Sequence, residues 1–173
     1  GRLPDSAVPT VLIVGRVLAS ERYKGHDQLL EAWPRVLASL PRARLVIAGS
    51  GDDLPRLERK ARDLGIQHAI EMCGFVSDAE RAALYERAHV FALPSAGEGF
   101  GLVYLEAMAH GLPCIGSTED AAREVIAERI ISLARTGERR PTLLRDRVLR
   151  EAGLADGNGA ADGNGTKRPS WSG

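Results

Sequence analysis

From Thr10 onward the chain alternates short apolar runs with longer stretches in which apolar residues recur at helical spacing. The short runs fit buried strands and the long stretches amphipathic helices, so the order reads as successive βαβ units. Strands are expected at 11–14, 45–48, 70–73, 90–93 and 113–116. Between the first two, Leu29, Leu30, Trp33, Val36 and Leu37 share one stripe of a helix over 27–40, which assigns Trp33 to the core. Gly49-Ser50-Gly51-Asp52 turns the second strand into a helix that Gly65 ends as a C-cap. Ser77 with Glu80 forms a capping box for a helix reaching Ala88. A very apolar helix over 102–110 is closed by Gly111. Past Ile126 the pattern decays: 128–134 and 143–152 fit helices, with no further strand, so the sheet is expected to end early.

These strands, separated by helices, predict an α/β fold: a Rossmann-like parallel sheet flanked by helices on both faces. Ligands of such sheets lie at the carboxyl ends of the strands. The domain is read as 10–152, preceded by a linker remnant at 1–9. The stretch 153–173 is rich in Gly, Asn and Asp, repeats Ala-Asp-Gly-Asn-Gly, and reads as a disordered tail.

Composition narrows the function classes. Lys and Arg together number 23, and so do Asp and Glu, so no charge surplus points to nucleic acid or an anionic membrane as the main partner. Cys73 and Cys114 fall in separate apolar strand runs, where a small buried thiol is ordinary. The sequence shows neither a leader pattern nor an apolar run long enough for a span, which makes a cytoplasmic location the default expectation. His26, His68, His89 and His110 show no metal-ligand spacing.

The candidate chemistry lies on the strand-to-helix connections. A glycine-rich turn at 97–101 opens the helix starting near Leu102, and such a turn offers unpaired N–H groups at the positive end of a helix dipole, as a phosphate requires. Glu98 sits in that turn. Glu106 lies farther in, among Leu102, Val103, Leu105, Ala107, Met108 and Ala109, and a carboxylate in so apolar a helix needs a partner. An arginine, a helix cap and a ligand all fit, and His110 is spaced to pair with it. After the first strand, Gly15-Arg16 and Lys24-Gly25 put two cations on one connection, a bidentate fork and a point charge that suit a diphosphate. Gly49 and Gly51 form a third glycine turn at the same edge.

In order and spacing, Gly15-Arg16, Lys24-Gly25, Gly49-Ser50-Gly51, Gly74-Phe75-Val76 and Glu98-Gly-Phe-Gly-Leu-x-x-x-Glu106-Ala-Met-Ala-x-Gly-x-Pro113 resemble the donor domain of glycosyltransferase family 4, from Thr10 to about Ile126. The resemblance implies the nucleotide-sugar-binding half of a retaining GT-B glycosyltransferase. It further implies a UDP-, GDP- or ADP-sugar as donor substrate, with no cofactor and no metal. Arg16 and Lys24 match the family's diphosphate pair, helped by backbone amides of Gly99, Phe100, Gly101 and Leu102. Glu98 matches the acid beside the donor sugar, so that Glu98, Arg16 and Lys24 are the expected catalytic groups. Glu106 matches the acid that binds the ribose, Val76 the backbone contact to the base, and Gly15, Gly49 and Gly51 complete the donor site.

Family members place an acceptor-binding Rossmann-like domain ahead of this one, with the donor site in the cleft between the two. The acceptor, a sugar, lipid or small molecule, and any peripheral membrane contact are therefore expected to depend on that other half. Past Val125 the sequence departs from the family: 127–130 already reads as a helix where a glycine-containing strand segment is expected, and the return helix is not evident. Binding of a nucleotide or nucleotide sugar without transfer, or a truncated relict that lacks the acceptor half, is the alternative expectation.

Overall fold

The computed structural model describes residues 8–95, 102–116 and 123–137. They form the expected α/β architecture in the order β1 (Thr10–Val14), α1 (His26–Ser39), β2 (Arg44–Ala48), α2 (Leu54–Asp63), β3 (Ile70–Gly74), α3 (Asp78–Arg87), β4 (Val90–Leu93), α4 (Leu102–Ala109), β5 (Cys114–Gly116) and α5 (Arg123–Thr136). Two 3-10 segments, Ala19–Lys24 and Gln67–Ala69, were not foreseen from the sequence. The tail from 153, the expected helix at 143–152 and the loop at 96–101 lie outside the described residues.

All pairings are parallel, and the strand order is β3-β2-β1-β4-β5. Chain order reverses between β1 and β4, which opens a crevice at their carboxyl ends. Right-handed crossovers then put α1 and α2 on one face and α3 and α4 on the other. The packing agrees: α2 and α5 lie against α1, while α3 side chains reach α4. Every residue of β1 and β4 is buried, whereas the edge strand β3 is only half-buried. β-Branched and leucine side chains on both faces of a central strand account for that contrast. Removing one such side chain, Leu12 for example, costs about 2–5 kcal/mol.

Local signals behave as their chemistry requires. The Ser77 hydroxyl accepts from the Glu80 N–H, and the Glu80 carboxylate accepts from the Ser77 N–H, closing the capping box. Gly65, with φ of 68°, follows α2. Trp33 is fully buried, as its stripe predicts. α5 begins earlier than the expected 128 and packs along α1, where Arg35 pairs with Glu128. Among the described residues no helix is long and apolar enough to cross a membrane.

Candidate functional site

Three turns meet at the carboxyl edge of the sheet, and glycine is what lets them meet. A Cβ on Gly49, where φ is +153°, would lie 1.8 Å from the Gly15 carbonyl oxygen, and one on Gly51 would lie 1.9 Å from that of Val17. The turns are stitched by Gly15 N–H to Ala48 O and Val17 N–H to Ser50 O, both at 3.0 Å. Gly25, with φ of +93°, brings the turn before α1 against the end of β4, where an added Cβ would lie 2.3 Å from the Pro94 oxygen. Gly49 and Gly51, expected in the donor site, thus serve a backbone-to-backbone approach that a phosphate loop does not by itself require.

This packing carries Arg16 and Lys24 to one carboxylate, that of Glu21, which sequence reasoning missed. Arg16 Nη2 lies 2.5 Å from Glu21 Oε1, and Lys24 Nζ lies 2.7 Å from Glu21 Oε2. The hydrogen bond from Lys24, with the neighbouring cations, holds the Glu21 carboxyl below its usual range against the opposing pull of burial. The lysine is not a solvated loop residue: its side chain is 8% exposed, against 69% for Arg16. Its stem passes Gly15, where a Cβ would sit 3.9 Å from Lys24 Cδ. The acid spaced one helical turn before Lys24 was the available signal for this bridge.

A second set of charges anchors the loop that holds these groups. Arg56 donates two bonds to Asp27, at 2.8 and 2.7 Å, and two to Asp53, at 2.8 and 2.6 Å. Arg22, inside the 3-10 segment, also reaches Asp53 at 3.0 Å, and Lys60 joins Asp27 to Glu31. The Ala19 N–H donates to Asp52 at 2.9 Å, which ties down the other end of the segment. Hydrogen bonds from Arg56 lead in lowering both carboxyls, Asp27 to about 2 and Asp53 further. His26, between the two clusters, is buried, its Nε2 has no partner among the described residues, and burial followed by the nearby Lys24 charge pushes its pKa down to about 4.

Across the sheet, Glu106 does not stand alone in its apolar helix. Its Oε2 accepts from the Tyr85 hydroxyl at 3.1 Å and lies 3.2 Å from Arg81 Nε, so of the partners open to it in sequence the arginine is the one observed. His110 stacks on Tyr85, with centroids 5.3 Å apart, and this replaces the expected pairing with the Glu106 carboxylate. Leu102, first residue of α4, is 75% exposed, and Val76, after β3, is half-buried beside the exposed Phe75. Gly97, Glu98, Gly99, Phe100 and Gly101 lie outside the described residues. Cys114 is buried and its thiol is pushed up to about 12 by desolvation, while Cys73 is only half-buried, a correction to its expected burial at the sheet edge. Among the described residues no group of His, Cys, Asp and Glu is arranged to hold a metal.

Comparison with known proteins puts this edge in context. Over 171 residues, 94% of its length, the chain is 36% identical to the phosphatidyl-myo-inositol mannosyltransferase of Mycobacterium leprae, of which it covers 43%. Over 125 residues, 68% of its length, it is 36% identical to a GDP-mannose-dependent alpha-(1-6)-phosphatidylinositol monomannoside mannosyltransferase of Mycobacterium tuberculosis, of which it covers 32%. The chain thus spans less than half the length of either relative. In fold it is similar to the C-terminal domain of the glycosyl transferase group 1 family protein LpcC from Francisella tularensis, with a TM-score of 0.61 at 24% identity over 87% of this chain and 82% of that one. The family model described as glycosyl transferases group 1 matches residues 8–149, and the chain belongs to that family, with the Rossmann-like fold of a GT-B glycosyltransferase.

Proposed function

We propose that the β1–β4 crevice binds the diphosphate of a nucleotide sugar and that the chain is the donor half of a retaining transferase. The observation that carries this reading is the convergence of Arg16 and Lys24 on Glu21 at the switch point of the sheet. An arginine fork and a lysine on one anion are the donor set a diphosphate needs, and neither requires a metal. In this reading the two cations neutralise charge that builds on the leaving nucleoside diphosphate as the bond from the anomeric carbon to the phosphate oxygen breaks. Glu98 would act beside the donor sugar, Glu106 would exchange its α3 partners for the ribose hydroxyls, and the amides at 99–102 would add donors to the phosphates. Val76 would meet the base through its backbone. The GDP-mannose-dependent relative makes GDP-mannose the first donor to test.

The test is NMR observation of GDP-mannose, UDP-glucose and ADP-glucose incubated with the chain in its full-length setting and a lipid or sugar acceptor. Transfer with the α-linkage of the donor kept, and lost on Arg16→Ala, supports the proposal. Saturable nucleotide binding with no transfer in that setting leaves binding alone as the function, and an inverted product contradicts retention.

A further inference from the structure

Lys24 is a cation that the fold has taken out of water. Its side chain is 8% exposed and that of Glu21 13%, and a buried ammonium is costly unless an anion accompanies it. The loop therefore needs a counter-ion whenever the crevice is empty. Glu21 supplies one in bridging form, Oε2 to Lys24 at 2.7 Å and Oε1 to Arg16 at 2.5 Å. Arg16 is largely exposed, so its guanidinium can turn to an incoming anion at little desolvation cost. Any anion entering here competes with a carboxylate that already offers one oxygen to each cation.

We infer that Glu21 is the resident counter-ion of the diphosphate site, which it holds assembled when empty and yields to a ligand carrying two phosphate groups, thereby selecting against ligands that carry one. The inference rests on the donor-site reading given above. A single phosphate must displace both carboxylate oxygens or share one cation with them. A diphosphate presents one group to each cation and brings enough charge to replace the bridge. Glu21→Gln removes the competing charge but keeps the side chain's size and an oxygen able to face the Lys24 ammonium in place of the ion pair.

The experiment is isothermal titration of phosphate, pyrophosphate, GMP and GDP, at fixed ionic strength, into the wild-type chain, Glu21→Gln and the double variant Glu21→Gln/Arg16→Ala, with folding checked by circular dichroism. Glu21→Gln should bind phosphate and GMP about fivefold more tightly, the size of a partly exposed ion pair. Pyrophosphate and GDP should change less, so the preference for two phosphates falls, and the gain should vanish in the double variant. A folded Glu21→Gln whose affinity for phosphate and GMP is unchanged or weaker overturns the inference, as does the absence of anion binding in every protein. If GDP binds no better than pyrophosphate throughout, the nucleotide reading fails, while the phosphate arm still judges Glu21.

Discussion

The two flanks of the β1–β4 crevice are built differently. On the α1–α2 side, Arg16 and Lys24 ride on a loop pinned by Asp52 and Asp53, backed by Arg56, Asp27 and Lys60, and closed by glycines that leave no room for a Cβ. On the α3–α4 side, Glu106 is held by one partly exposed arginine and one buried tyrosine, and Leu102 and Leu105 of α4 face solvent. The first flank is preorganised for charge, so little ordering remains to be done when an anion arrives. The second can re-form its contacts around a ligand.

The comparison predicts unequal sensitivity to substitution. Gly49→Ala should be the most damaging, costing roughly 4 kcal/mol, because overpacking against the Gly15 carbonyl adds to positive-φ strain. Denaturant unfolding checks it, and a loss near that of an ordinary surface change would mean that the turns yield. Acid should expose the same flank. The folded pKa of His26 is depressed below that of the unfolded chain, so its contribution is complete above the unfolded value near 6.5 and is lost as pH falls toward 4. The loss is on the order of 3 kcal/mol. Below that window Asp27 and Asp53, with carboxyls also depressed, extend the loss downward. Stability measured against pH should flatten between 6.5 and 4 in His26→Asn, and an unchanged slope would assign the acid limb elsewhere.

Arg56→Ala leaves two carboxylates without their main partner and should cost about 2 kcal/mol, a figure lowered for the partial exposure of the arginine. Nucleotide affinity should fall with it, since Asp53 also holds Arg22 of the cation loop. On the other flank Glu106→Ala should cost only about 0.5 kcal/mol, because both it and Arg81 are about one-third exposed. Equal losses at positions 56 and 106 would erase the contrast between the flanks.

The parts legible in the sequence were those written in short range. Strand runs such as 11–14 and 45–48, the Ser77 and Glu80 box and the Trp33 stripe each announce themselves within a few residues. The cations were legible because glycine flanks each one. Their supports were not: Arg56 finds Asp27 at a separation of 29 residues and Arg22 finds Asp53 at 31, distances at which no local periodicity operates. Glu106 showed that it needed a partner without showing which, since Arg81 and Tyr85 come from α3, which β4 separates from it along the chain. Gly49 and Gly51 advertised a ligand loop, and their tight backbone contacts emerge only once β1 and β2 are side by side.

The claim on which the rest depends is that a nucleoside diphosphate binds between these flanks through Arg16 and Lys24. Isothermal titration of GDP, UDP and ADP into the wild-type chain, Arg16→Ala and Glu106→Ala tests it most directly. The account predicts one-to-one saturable binding of one nucleotide, weakened at least about tenfold by loss of the charged hydrogen bonds in Arg16→Ala and less in Glu106→Ala. A folded wild-type chain that binds none of the three, or an Arg16→Ala chain that binds as well as wild type, would contradict it.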